Sequence, residues 1–168
     1  MSEEARDYIN TLSPEQRRKA LNAALRLDFQ VFAKRAFRHL VPNIDWSWHH
    51  GVMSQHAQQI IEGDIKRSVI NLAPRTMKSQ LFSAVMPAYI LGRDPKAKII
   101  CVSHSQSLAE DLSGNTRRIM EAAFYRDAFP KTRLAKRALH ELKTTEGGSR
   151  LATSIDGSLT GRGGDYII

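Results

Sequence analysis

Two short apolar runs, SVINLA at 68–73 and AKIICV at 97–102, each lead into a stretch with helical periodicity. This pattern constrains the chain more than any other. A strand, a helix and a second strand in one sheet imply a right-handed crossover and a parallel pairing. The spacing predicts a helix from about Lys78 to Leu91, with Gly92 as its C-terminal cap and Pro87 kinking or splitting it. A second helix is expected across SHSQSLAEDLSGNTRRIMEAAF, with Leu108, Leu112, Asn115 and Ile119 on one side. ELKTTEGGSRLATSI reads as two strands around the Gly147-Gly148 turn. DGSLTGRGGD is a Gly-rich loop, and YII begins another strand.

Upstream of this alternation the chain reads as helical. Residues 1–12 form a polar, acidic arm. Ser13-Pro14-Glu15-Gln16 has the form of a capping box. Leu21, Leu25, Phe29, Phe32, Ala36 and Leu40 then recur at helical spacing and should face a core. VPNIDWSWHHG at 41–51 is a break, followed by a helix from about Val52 to Glu62 that Gly63 stops. The expected division is an N-terminal arm and helical extension, 1–63, and an α/β unit, 64–168. The 168 residues carry 25 Lys and Arg against 17 Asp and Glu, a formal net charge of +8. Such a balance suits a polyanionic partner such as nucleic acid, and it also occurs in domains that are merely soluble. The single cysteine, Cys101, rules out a disulfide framework within the chain and lies in an apolar run, as an inert core residue would. No apolar run approaches the roughly 18 residues needed to cross a bilayer. The six histidines form no metal motif.

The chemistry concentrates at NLAPRTMKSQ, 71–80. A Lys-Ser pair there follows an apolar run and precedes a helix. A phosphate-binding loop needs that arrangement: backbone N–H groups and the positive end of a helix converge on an anion, Lys neutralises β/γ oxygens, and the hydroxyl ligates Mg²⁺. The motif G-x-x-x-x-G-K-[ST] is incomplete, because Leu72 and Met77 stand where its glycines belong. Arg75 adds a second positive charge. The competing reading is the first turn of an ordinary helix.

Several ordered segments together resemble the large terminase subunit of tailed phages. Ala73, Pro74, Arg75, Thr76, Met77, Lys78 and Ser79 are similar to that family's Pro-Pro-Arg-x-x-Lys-Ser phosphate loop. AYILGRDPKAKIICVSHSQSLA resembles its next strand and turn, TTEGGSRLATSIDGSLTGRGGDYII its approach to the Walker B strand, and WSWHH its segment near the adenine end of the site. The resemblance spans about residues 28–168. It implies a P-loop NTPase of the RecA-like, additional-strand type (ASCE), with a parallel sheet flanked by helices. It implies ATP and Mg²⁺ as ligands, and ATP-driven movement of double-stranded DNA into a capsid. The implied partners are the small terminase subunit, the portal protein and further copies in a homo-oligomeric ring, in the cytoplasm of a host cell carrying the phage or prophage.

By that resemblance Lys78 contacts the β/γ phosphates, Ser79 ligates Mg²⁺ through its hydroxyl, Arg75 senses phosphate, and the 73–78 backbone holds the triphosphate. Trp48 stacks on adenine with His49 beside it. Ser105 and Gln106 form a coupling or DNA-tracking turn, or simply cap a helix. Arg162 contacts DNA or a neighbour's nucleotide, or is only a loop residue. The family's Walker B acids and nuclease domain would follow DYII. The chain therefore reads as an incomplete ATPase core, expected to bind nucleotide without turnover. Asp165 precedes the last strand and stands at the wrong end to replace those acids. Two other readings remain open, a helicase-like or other P-loop ATPase and a non-catalytic basic nucleic-acid-binding domain.

Overall fold

A computed structural model describes residues 11–157 and 161–168. The expected N-terminal arm up to residue 10 and the middle of the Gly-rich loop, 158–160, lie outside the described residues. Helix α1 (Pro14–Leu27) opens on the capping box: Ser13 Oγ accepts from the Gln16 N–H, and the Gln16 side chain accepts from the Ser13 N–H. The long apolar stripe does not continue as one helix. Asp28 is extended, closes α1 and caps α2 (Phe29–Leu40) by accepting from the Val31 N–H at 3.0 Å. A short polar side chain that can bond nearby amides competes with helix propagation at such a position. Helix α3 (Trp48–Glu62) starts earlier than the periodicity suggested, and ends where Gly63 takes φ +87°.

Helix α4 follows the loop. It begins as Lys78–Gln80, widens to a π turn over Leu81–Val85 and continues as Met86–Arg93. Pro87 does not end it; the interruption expected there takes the form of the π turn just upstream, which divides the helix. Gly92 is no cap either: it lies inside the helix, where a Cβ would stand 2.8 Å from the Phe129 ring. Strand β1 (Lys98–Ser103), α5 (Gln106–Glu121), α6 (Ala123–Ala128), β2 (Leu134–Ala138), β3 (Glu141–Thr144), β4 (Ser149–Ser154) and β5 (Tyr166–Ile167) complete the order.

The architecture is α/β, with a five-stranded sheet in the order β2-β3-β4-β1-β5 flanked by helices. The sheet is mixed, not wholly parallel: β4, β1 and β5 run parallel, while β2–β3 and β3–β4 pair antiparallel. SVINLA joins none of these ladders. Its residues keep a strand-like alternation, with Val69 87% exposed while Ile70 and Leu72 pack against the core. A cleft lined by Ser68 and Ile70 on one side and Gly164–Ile168 on the other separates the segment from β5. An extended backbone with no partner strand within reach cannot form a ladder.

One apolar cluster joins the helices to the sheet. Phe32 of α2 meets the rings of Tyr89, Phe124, Tyr125 and Phe129 at centroid distances of 5.1–6.2 Å. The same cluster takes in Phe29, Phe37, Leu91, Ile99 and Cys101, so the core continues across residue 63. The C-terminal half of α4 is locked within it, with every residue from Met86 to Leu91 buried.

Candidate phosphate site

The chain reverses between α4 and β1 through Asp94–Ala97, so α4 begins level with the C-terminal ends of the parallel strands. Ligand sites of open α/β sheets form at that end. The loop before α4 has an unusual backbone: Arg75 has φ +64° and Met77 φ +61°, the two non-glycine residues with positive φ among those described. Met77 thus adopts the left-handed conformation at the position where the motif has its second glycine. Left-handed residues flank Thr76, and turns of alternating handedness can form a concave run of amides that suits an anion. The N–H groups of Arg75, Thr76 and Met77 have no acceptor among the described residues.

The loop is braced from within. Thr76 Oγ1 donates to the Ala73 carbonyl at 2.9 Å, and Lys78 Nζ reaches back across the loop to the Leu72 carbonyl at 2.8 Å. Ala73, Pro74 and Arg75 are exposed. Lys78 and Ser79 border the cleft beside β5, which has a volume of about 1060 Å³. Its other lining residues include Lys66, Arg67, Phe82 and Met86. Asp165 lines the same cleft, and its Oδ2 accepts from the Lys98 N–H at the start of β1.

Other candidate residues lie apart from the loop. Trp48 is 81% exposed, and neither it nor His49 lines the cleft. His49 Nδ1 lies 2.8 Å from Ser47 Oγ, and its ring stacks 4.0 Å from that of His50. Burial, followed by the neighbouring His49, pushes the His50 imidazole below its ordinary pKa. Trp46 packs on Phe37 and His50. Ser105 caps α5, accepting from the Leu108 N–H at 3.4 Å, and the Gln106 side chain donates to Glu110. Arg162 pairs with Glu141 at 3.1 Å, and Lys136 and Lys143 approach the same carboxylate at 2.6 and 3.6 Å. The Lys136 hydrogen bond is the main reason the Glu141 carboxyl sits below its ordinary range.

Arg150 was not singled out in the sequence. It lies on β4, is 0% exposed, and its Nη2 donates to the Ser83 carbonyl in the π turn at 2.8 Å. Its Nε and Nη1 have no partner among the described residues. Burial pushes its pKa below the ordinary arginine value. The available signal was Pro87: a proline inside a helical pattern leaves the carbonyl four residues back without its amide. Burial of Cys101 raises its thiol, as expected of an unreactive core residue.

The fold and this loop define an α/β protein whose buried helix α4 follows a turn with two left-handed residues. Comparison of the chain with protein-family models, with curated proteins and with solved structures finds no match.

Proposed function

We propose that this chain is the nucleotide-binding part of an ATP-driven DNA-packaging motor of the large terminase type, built as a P-loop NTPase. The observation that carries the proposal is the conformation of the loop: Arg75 and Met77 are left-handed, and three consecutive amides, 75–77, are unpaired among the described residues directly before Lys78-Ser79. These amides bind the β and γ phosphate oxygens. The Lys78 amine leaves the Leu72 carbonyl and neutralises the same oxygens, a charge-assisted bond that replaces a neutral acceptor. Arg75, exposed on the loop, supplies a second cation.

Ser79 follows Lys78 and its exposed hydroxyl borders the cleft, so it suits a Mg²⁺ ion that arrives with the triphosphate. Mg²⁺ commonly keeps several waters and takes few protein ligands. Among the described residues no group of three or more His, Cys, Asp or Glu is placed to hold a metal. When bound, the ion neutralises charge on the phosphates. The residues of this chain bind and orient the triphosphate. Asp165, tied to the Lys98 amide, is not the group that activates water.

The partners follow from the same proposal: double-stranded DNA, the small terminase subunit, the portal and further copies in a ring, in host cytoplasm. The exposed Lys143 and half-exposed Lys136, which together with Arg162 surround the single Glu141 carboxylate on one face of the β2–β3 hairpin, offer a basic surface for the DNA backbone. Titration of a fluorescent ATP analogue with and without Mg²⁺ tests the nucleotide site. The expected outcome is saturable binding that Lys78→Ala weakens at least tenfold, without turnover. Binding unchanged by Lys78→Ala, or salt-dependent DNA binding with no nucleotide binding, leaves the basic nucleic-acid-binding reading in its place.

A further inference from the structure

Pro87 has no N–H, and its ring crowds the carbonyl of residue i−4 in an α-helix. Here that residue is Ser83, which is 9% exposed, so its carbonyl cannot rely on bulk water. Two side chains from outside α4 reach this part of it. Arg150 Nη2 donates to the Ser83 carbonyl at 2.8 Å, and Thr116 Oγ1 shares its one proton between the Ala84 carbonyl at 3.2 Å and the Leu112 carbonyl of its own helix at 3.1 Å. The Ser83 and Ala84 carbonyls belong to the π turn, Leu81–Val85. A π turn amounts to one extra residue in a helix and is often found at functional sites.

We infer that Arg150 is a positioning residue for the phosphate loop: by holding the Ser83 carbonyl it maintains the π turn, and the π turn sets the direction in which Lys78 and Ser79 face. The inference rests on reading 73–79 as a phosphate site. Its geometry is simple. Met86–Leu91 is wholly buried, so that half of α4 cannot rotate. Loss of the π turn removes one residue of winding, about 100° of rotation. Leu81–Val85 is buried as well, so the rotation is taken up across the π turn and carried to Lys78–Gln80, the half-buried or exposed end. One side-chain contact records the present phase, since Asn115 Nδ2 of α5 donates to Gln80 Oε1 at 3.2 Å.

The fully buried guanidinium makes one hydrogen bond, and its other two nitrogens are unpartnered among the described residues. An arrangement this costly is poorly accounted for as general stabilisation, because an apolar replacement of a buried charge is often no worse. Removing both the proline and the arginine separates stability from position. Pro87→Ala restores an amide for Ser83, and Arg150→Met removes the competing donor, so an ordinary α-helical register becomes available.

The test compares the unchanged chain with the Pro87→Ala/Arg150→Met double variant by two readouts. The first is affinity for inorganic tripolyphosphate by calorimetry. The second is cross-linking by dibromobimane of Gln80→Cys with Asn115→Cys, in both backgrounds; native Cys101 is 1% exposed and does not compete. The double variant should remain folded by circular dichroism, cross-link at least tenfold more slowly, and bind tripolyphosphate at least tenfold more weakly. Arg150→Lys, which keeps a donor for the carbonyl, should retain both properties. Equal cross-linking in the two backgrounds overturns the inference, whatever the phosphate result. A slowed cross-link in a chain that never bound tripolyphosphate supports the helix-phase claim and removes the phosphate reading instead. If chains with Arg150→Met do not fold, Pro87→Ala/Arg150→Gln takes the place of the double variant, and cross-linking at the unchanged rate in it refutes the inference.

Discussion

Glycine substitutions in the loop should separate two effects at the left-handed positions that flank Thr76. Arg75 (φ +64°) and Met77 (φ +61°) each hold a conformation that costs a non-glycine residue roughly 1–2 kcal/mol. Glycine removes that cost but raises the entropy of the unfolded chain by about 0.5–1 kcal/mol. Arg75 is exposed, so little packing is lost. The net for Arg75→Gly is a stabilisation of about 0.5–1 kcal/mol. For a chain of 168 residues this corresponds to a rise in Tm of roughly 1–4 °C. Met77 has the same backbone but packs partly against the core. Losing about half the burial of a Met side chain costs on the order of 1 kcal/mol. Met77→Gly should therefore be close to neutral, within about 0.5 kcal/mol, despite deleting an entire side chain. Urea denaturation with a fixed m-value measures both. Destabilisation by more than about 1 kcal/mol in both variants means that the two residues have negative φ in solution. The concave run of amides, and the phosphate site with it, would then be refuted.

Three further outcomes follow from particular contacts. Gly92→Ala should destabilise by about 1–3 kcal/mol, since its Cβ would stand 2.8 Å from the Phe129 ring in a packed core; a neutral result by thermal melting would show that Phe129 yields freely. His50 prefers its neutral form when folded, so the unfolded chain takes up a proton first as pH falls. Its contribution is complete above about pH 6.5 and is lost as pH drops through that value. His50→Asn, which can still accept from the Ser47 N–H, should flatten the pH dependence of Tm between about 5 and 7, and an identical slope would refute this assignment. On the free edge of β5, Ile167 is 73% exposed, and an unprotected edge favours pairing with another copy. Ile167→Lys should reduce self-association in analytical ultracentrifugation, and unchanged association would show that the edge is not the contact.

Local features were legible in the sequence wherever one residue type decides the backbone. Gly147-Gly148 announced the β3–β4 hairpin, and Ser13 with Gln16 announced the start of α1. Pairing was less legible because it depends on what lies beside a segment. SVINLA alternates as a strand should, yet a cleft separates it from β5. LAKRA, which forms β2, carries Lys136 and Arg137 on the sheet's outer edge, where charge is favourable and the apolar signal is correspondingly weak. The stripe from Leu21 to Leu40 kept its period across Asp28, so periodicity could not reveal the break there. Met77 was the least readable position, since nothing about methionine favours φ near +60°.

That last failure bears on mechanism. A loop with glycine at positions 75 and 77 would reach its left-handed conformations at little cost and would leave them as easily. Here each conformation is opposed by a side chain and held by specific contacts: Thr76 to Ala73, Lys78 to Leu72, and Met77 to the core. On the helix side, the π turn is likewise held by Arg150 and Thr116. If the loop binds phosphate as proposed, its backbone shape is held before the anion arrives, so little ordering entropy has to be overcome there. On that proposal the part that changes is the Lys78 amine, which would exchange the Leu72 carbonyl for phosphate oxygen. The strain lies in the peptide units that stay still, and the adaptable part is one four-carbon side chain. A glycine-poor loop can therefore serve the same electrostatic purpose as a glycine-rich one, provided that its neighbours supply the constraint its residues do not.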